Sequence, residues 1–98
     1  MSPIPSPGSR LLGPLLAELR LVRGWSQQRL ARELCAASGV ATLTRHEVSR
    51  WERQLRLPGD VWLGWLAVVL GVRGERLAEA AALTRRLSAV PAPVDRAG

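Results

Sequence analysis

From residue 10 to residue 88 the apolar residues recur at three- and four-residue steps, and glycine or proline interrupts the pattern at only a few points. That period belongs to helices with one face turned inward. Leu12, Leu15, Leu16, Leu19 and Val22 form the first stripe, with Pro14 tolerable if it lies in the first turn and Gly24 as the stop. Ser26 is a good N-cap for a second helix, in which Leu30, Ala31 and Leu34 face inward and Ser38-Gly39 closes the run. Thr44 and Glu47 have the spacing of a capping box, so a third helix is expected from Arg45 through Trp51 to about Gln54. Pro58-Gly59 marks a turn. Asp60 is then expected to cap a fourth helix that reaches Leu70 and closes at Gly71, with Leu63, Leu66, Ala67 and Leu70 inward. A fifth, carrying Leu77, Ala80, Ala81 and Leu83, is expected from about Glu75 to Leu87. Val40, Thr42 and Leu43 are β-prone, but their segment is short and lacks a partner. The chain therefore predicts an all-α domain of five helices over residues 10–88. A flexible, proline-rich arm is expected at 1–9 and a frayed tail at 89–98.

A chain of 98 residues suits one small domain, and a core of that size gains from a docked partner subunit. One cysteine excludes an internal disulfide framework and a cysteine-rich zinc site, and one histidine leaves no second imidazole for a metal cluster. The uncharged apolar run Val61–Val72 is too short to span a bilayer, and the first residues lack the pattern of a secretory signal. The expectation is a cytoplasmic protein without membrane contact, cofactor or metal.

All 14 basic residues are arginine, and the net charge is +6. Arginine forks match phosphate oxygens and guanine edges better than an ammonium does. Most of the excess lies in residues 10–57, which points to a polyanionic partner. A solvated surface in an arginine-favouring composition is the plainer alternative.

Three stretches carry a more specific message. Arg20-Leu21-Val22-Arg23-Gly24-Trp25-Ser26-Gln27-Gln28-Arg29-Leu30-Ala31 joins a helix end, a glycine turn and a second helix with "SQ..LA". Thr44-Arg45-His46-Glu47-Val48-Ser49-Arg50-Trp51-Glu52 is a capped helix ending in "WE", and Leu66-Ala67-Val68-Val69-Leu70-Gly71-Val72 reads "LA..LGV". In this order and spacing they resemble the lambda-repressor-like (Cro/cI, or XRE) helix-turn-helix family over about residues 11–80. The resemblance implies a sequence-specific DNA-binding regulator, most commonly a repressor, whose recognition helix spans residues 44–54.

A recognition helix places its N-terminal residues against base edges in the major groove. Arg45, His46, Ser49 and Arg50 are the outward positions, whereas Val48 and Trp51 turn back into the core. Arg45 and Arg50 suit guanine; His46 and Ser49 are adaptable contacts. The resemblance puts Gln27 on a backbone phosphate, and Arg29, Arg53 and Arg56 are further phosphate candidates. For each arginine an ordinary solvated charge is the alternative. The family also pairs an arginine of the first helix with the glutamate closing the third, here Arg20 and Glu52, either as a buried lock or as a surface pair. Trp25 and Trp51 read as core, and Cys35 as a buried, inert thiol.

Two departures from the family pattern stand out. The segment between Leu34 and Thr44 is longer than a tight turn, which should change the angle or depth of the third helix. Gln54 occupies a position where the family prefers glycine, so the third helix is expected to run on through Leu55.

Trp62, Trp65 and Val69 form a second apolar stripe on the fourth helix. A helix apolar on two faces is fully buried or meets a partner. A homodimer through that stripe is one reading; coverage by the fifth helix is the other. An antitoxin or adaptor using the Trp62/Trp65 face is the competing function. No paired carboxylates, phosphate loop or activated nucleophile points to an enzyme or a small-molecule substrate.

Overall fold

The computed structural model describes residues 11–89. Five helices follow in order: α1 (Leu12–Val22), α2 (Gln27–Ser38), α3 (Arg45–Glu52), α4 (Asp60–Leu70) and α5 (Gly74–Ala89). No strand occurs among the described residues. The arm expected at 1–9 lies outside them, as does the tail expected at 89–98 except for residue 89, which ends α5. No helix in the described span is long and apolar enough to cross a membrane.

α3 lies between α1 and α2; α2 also packs on α4, α4 on α5, and α5 returns to α1. The inward positions meet in one core. Leu12, Leu15 and Leu16 come from α1, Leu30, Ala31 and Leu34 from α2, and Val48 and Trp51 from α3. Leu63, Leu66, Ala67 and Leu70 from α4 and Leu77, Ala80 and Ala81 from α5 complete it. Val22 was expected in the α1 stripe but is 78% exposed, and Leu21 beside it is also exposed. The last turn of α1 projects past the core, so the period persists after there is anything left to cover.

The helix ends are built by local chemistry. Ser26 Oγ accepts the amide of Arg29 at 3.0 Å, capping α2. α1 and α4 both end in a pair of reverse hydrogen bonds around a left-handed glycine. At α1 these run from Gly24 N to Leu21 O (2.9 Å) and from Trp25 N to Arg20 O (3.2 Å). At α4 they run from Gly71 N to Val68 O (3.3 Å) and from Val72 N to Ala67 O (3.0 Å).

Three ends differ from expectation. Gly59, not Asp60, is the N-cap of α4; Asp60 is its first residue, where a carboxylate suits the positive end of the helix. α5 begins at Gly74 and extends beyond Leu87 to Ala89. α3 does not run on through Leu55. It ends at Glu52 in the same reverse-bond pattern, with Gln54 N to Trp51 O at 3.1 Å and Leu55 N to Arg50 O at 2.9 Å. Gln54 itself takes the left-handed conformation, φ +62°, at the place where a glycine is usual.

The reason lies at the start of α1. Leu11 precedes that helix and has no side-chain oxygen to cap it. The Gly13 amide donates instead to Gln54 Oε1 at 3.2 Å, and the Leu12 amide to Thr84 Oγ1 of α5 at 2.9 Å. Pro14 has no amide hydrogen, and the Leu15 amide reaches Leu11 O at 3.1 Å. The first turn of α1 is thus satisfied by two distant side chains, and the bond to Gly13 offsets the strain at Gln54.

Candidate nucleic-acid interface

α3 is a short rod with two unlike sides. Val48 and Trp51 are buried on one. On the other, Arg45, His46 and Arg50 are exposed and Ser49 is half-buried, with exposed Arg53 following at the helix end. Trp51 packs against Trp62 of α4, the rings 6.1 Å apart between centroids and tilted by 47°.

A polar clamp fixes the C-terminal end of this rod. Arg20 Nε donates to Glu52 Oε2 at 2.7 Å, and Arg20 Nη2 to Glu52 Oε1 at 2.9 Å. Arg20 Nη1 reaches Trp25 O at 2.8 Å, which joins the turn after α1 to the same cluster. Gln27 Nε2 donates to Glu52 Oε1 at 2.9 Å. The Arg20 and Glu52 side chains are 12% and 6% exposed, so the pair is a part-buried lock and not a surface contact. The hydrogen bond to Glu52 holds the Arg20 guanidinium above its ordinary pKa, helped by the carboxylate's charge and opposed by burial. One amide hydrogen of Gln27, which the resemblance placed on a phosphate, is therefore already engaged inside the protein.

At the other end of α3 the expected capping box does not form. Thr44 is the N-cap by backbone position, yet its side chain makes no capping bond. Its carbonyl accepts the amides of Glu47 and Val48 at 3.1 and 3.3 Å. Glu47 turns to two guanidinium groups, Arg50 Nη1 and Arg56 Nε, each at 3.2 Å. Two guanidinium partners, one of them Arg56 brought within reach by the loop after α3, thus occupy the carboxylate in place of the Thr44 amide.

The remaining candidates separate into engaged and open groups. Arg29 Nε pairs with Glu33 Oε2 at 2.7 Å one turn along α2. Its guanidinium also lies 5.1 Å from the centroid of the Trp25 ring, and that of Arg23 lies 5.2 Å from it. Trp25 is half-buried, outside the full core burial of Trp51. Arg45 and Arg53 form no ion pair among the described residues.

Arg45 and His46 do not stand alone. They line an open groove with Leu43 and Thr44 on one wall and Gln28, Ala31 and Arg32 of α2 on the other. Gln28 and Arg32 escaped the sequence reading. Their four-residue spacing on the outward side of α2 was the available signal, but only the fold sets them opposite the start of α3.

Trp62, Trp65 and Val69 are each half-buried and packed against the core. The exposed large apolar residues of α4 are Val61 and Val68, at 72% and 67%. Cys35 is half-buried rather than buried, and its thiol lies 3.4 Å from Leu43 O. No protein-family model, curated protein or solved structure matches this chain.

Proposed function

We propose that the protein is a sequence-specific DNA-binding regulator of the lambda-repressor-like helix-turn-helix type, which inserts α3 into the major groove. The observation that carries the reading is the two-sided mounting of α3. Trp51 and the Arg20–Glu52–Gln27 clamp hold one side, while Arg45, His46, Ser49 and Arg50 face outward on the other. A rigid mount matters because base readout depends on fixed side-chain positions. Arg45 and Arg50 read guanine, His46 and Ser49 adapt to neighbouring bases, and Arg53 holds a backbone phosphate. Gln27 acts through Glu52 as a positioning residue. The protein binds as a homodimer on half-sites one helical turn apart, about 34 Å, and represses by occupying its operator. Exposed Val61 and Val68 beside half-buried Trp65 support a second copy on α4.

The experiment is selection of bound sequences from a random duplex library at moderate salt. A short enriched motif, most informatively an inverted repeat, is the expected result. Salt-sensitive binding with no motif would overturn the sequence-reading role and leave only charge. The exposed valines on α4 favour one second reading, an antitoxin or adaptor that docks a protein there. Its mark would be a stable heteromeric complex lost in Val68→Glu, with no motif recovered from the library.

A further inference from the structure

The groove between α2 and the start of α3 is lined by two arginines and by no carboxylate. Arg32 and Arg45 face it, both exposed and both without an ion pair among the described residues. Elsewhere on α1–α3, Arg20, Arg29 and Arg50 are matched by carboxylates. Gln28, Thr44 and His46 add polar groups to the groove, and no carboxylate lines it. The one acid positioned to cap this end of α3, Glu47, faces Arg50 and Arg56 instead. Neither the Thr44 nor the Glu47 side chain caps the start of α3, so the amides of its first two residues stay available to an acceptor.

Resting on the DNA-binding reading above, we propose that this groove seats a backbone phosphate of the bound duplex. Arg32 and Gln28 grip it from α2, and Thr44 and the α3 amides from the opposite wall. Phosphates rim the major groove, so a side chain on the helix beside the inserted end meets the rim as Arg45 meets base edges. Arg32 lacks the intramolecular partners that hold the neighbouring candidates. Gln27 donates to Glu52, and Arg29 is held by Glu33 and Trp25. The groove is open and its arginines are exposed, which suits one phosphate among many along a polyanion.

The test measures duplex affinity by fluorescence anisotropy over a salt series, for wild type, Arg32→Ala and Arg76→Ala. Arg76 is exposed on α5, lies outside the groove and controls for loss of one charge. Circular dichroism checks that each variant keeps its helices. Arg32→Ala is expected to weaken a selected duplex and a scrambled one by the same factor, roughly tenfold, and to flatten the log–log salt slope by about 0.9. Arg76→Ala is expected to leave the slope unchanged. An Arg32→Ala protein that matches Arg76→Ala overturns the phosphate seat and leaves the DNA reading standing; a groove for an acidic protein segment would give that result. A loss confined to the selected duplex overturns it as well, since Arg32 would then be reading a base. Wild-type protein that binds no duplex overturns both.

Discussion

Glu52 receives two hydrogen bonds from Arg20, at 2.7 and 2.9 Å, and thereby fastens the last residue of α3 to α1 across 32 positions of sequence. A third bond, from Gln27, closes the carboxylate into a clamp. Removing the acid leaves a guanidinium 12% exposed with no countercharge. Glu52→Ala is therefore expected to cost about 3–5 kcal/mol, the range for an orphaned partner of a buried pair. Denaturant unfolding measures it. A loss under about 1 kcal/mol would mean that the pair behaves as a surface one.

Two glycines should answer to alanine with opposite signs. A Cβ on Gly13 would run into the carbonyl oxygen of Glu52 and come within 2.6 Å of Gln54 Cγ. Gly13→Ala is expected to lose about 1–3 kcal/mol through overpacking. A Cβ on Gly64, in the middle of α4, meets nothing within 4 Å. Gly64→Ala is expected to gain about 0.5–1 kcal/mol from restricting the unfolded chain and favouring helix. Melting curves of the two variants side by side would show it; shifts of the same sign would count against the close approach at Gly13.

Thr84 is 4% exposed, and its hydroxyl both accepts from the Leu12 amide and donates to Ala80 O at 2.8 Å. Thr84→Val keeps the shape and removes the acceptor. It should cost about 1–2 kcal/mol, and Thr84→Ser should recover most of that. Equal stability for the valine and wild-type proteins would show that water replaces the cap.

On the proposed DNA-reading face, Arg45→Ala is expected to cost about 1–3 kcal/mol at the selected site and to relax preference at one base position. Arg53→Ala should weaken every duplex alike and flatten the salt slope by about one unit. Quantitative binding to the selected site and to each of its single-base variants separates the two. A uniform loss in Arg45→Ala would reassign that residue to the backbone.

Local signals in the sequence led to much of the fold. The Ser26 cap depends only on neighbours in the chain, and the inward sets of α2 and α4 only on helical spacing. What escaped depends on residues far apart in sequence. Gln54 adopts a left-handed backbone because Gly13 is there to receive its side chain, 41 positions away. Glu47 leaves its capping position because Arg56 arrives from the following loop. The candidate interface divides the same way. Helical period alone located the outward face of α3, and family resemblance alone named Arg20 with Glu52. Neither reached Arg32, which gains meaning only when α2 and α3 form a groove.

On a translating ribosome α1 emerges well before the hydroxyl that completes its opening turn, which belongs to a residue made 72 positions later. Until Thr84 is out of the exit tunnel, the start of α1 has an unclaimed amide. A nascent chain stalled inside α5 therefore holds α1 loosely, and the clamp from α1 onto α3 gains a firm base only once α5 is out. The outward face of α3 is thus held steady only after α5 has been made and has packed against α1.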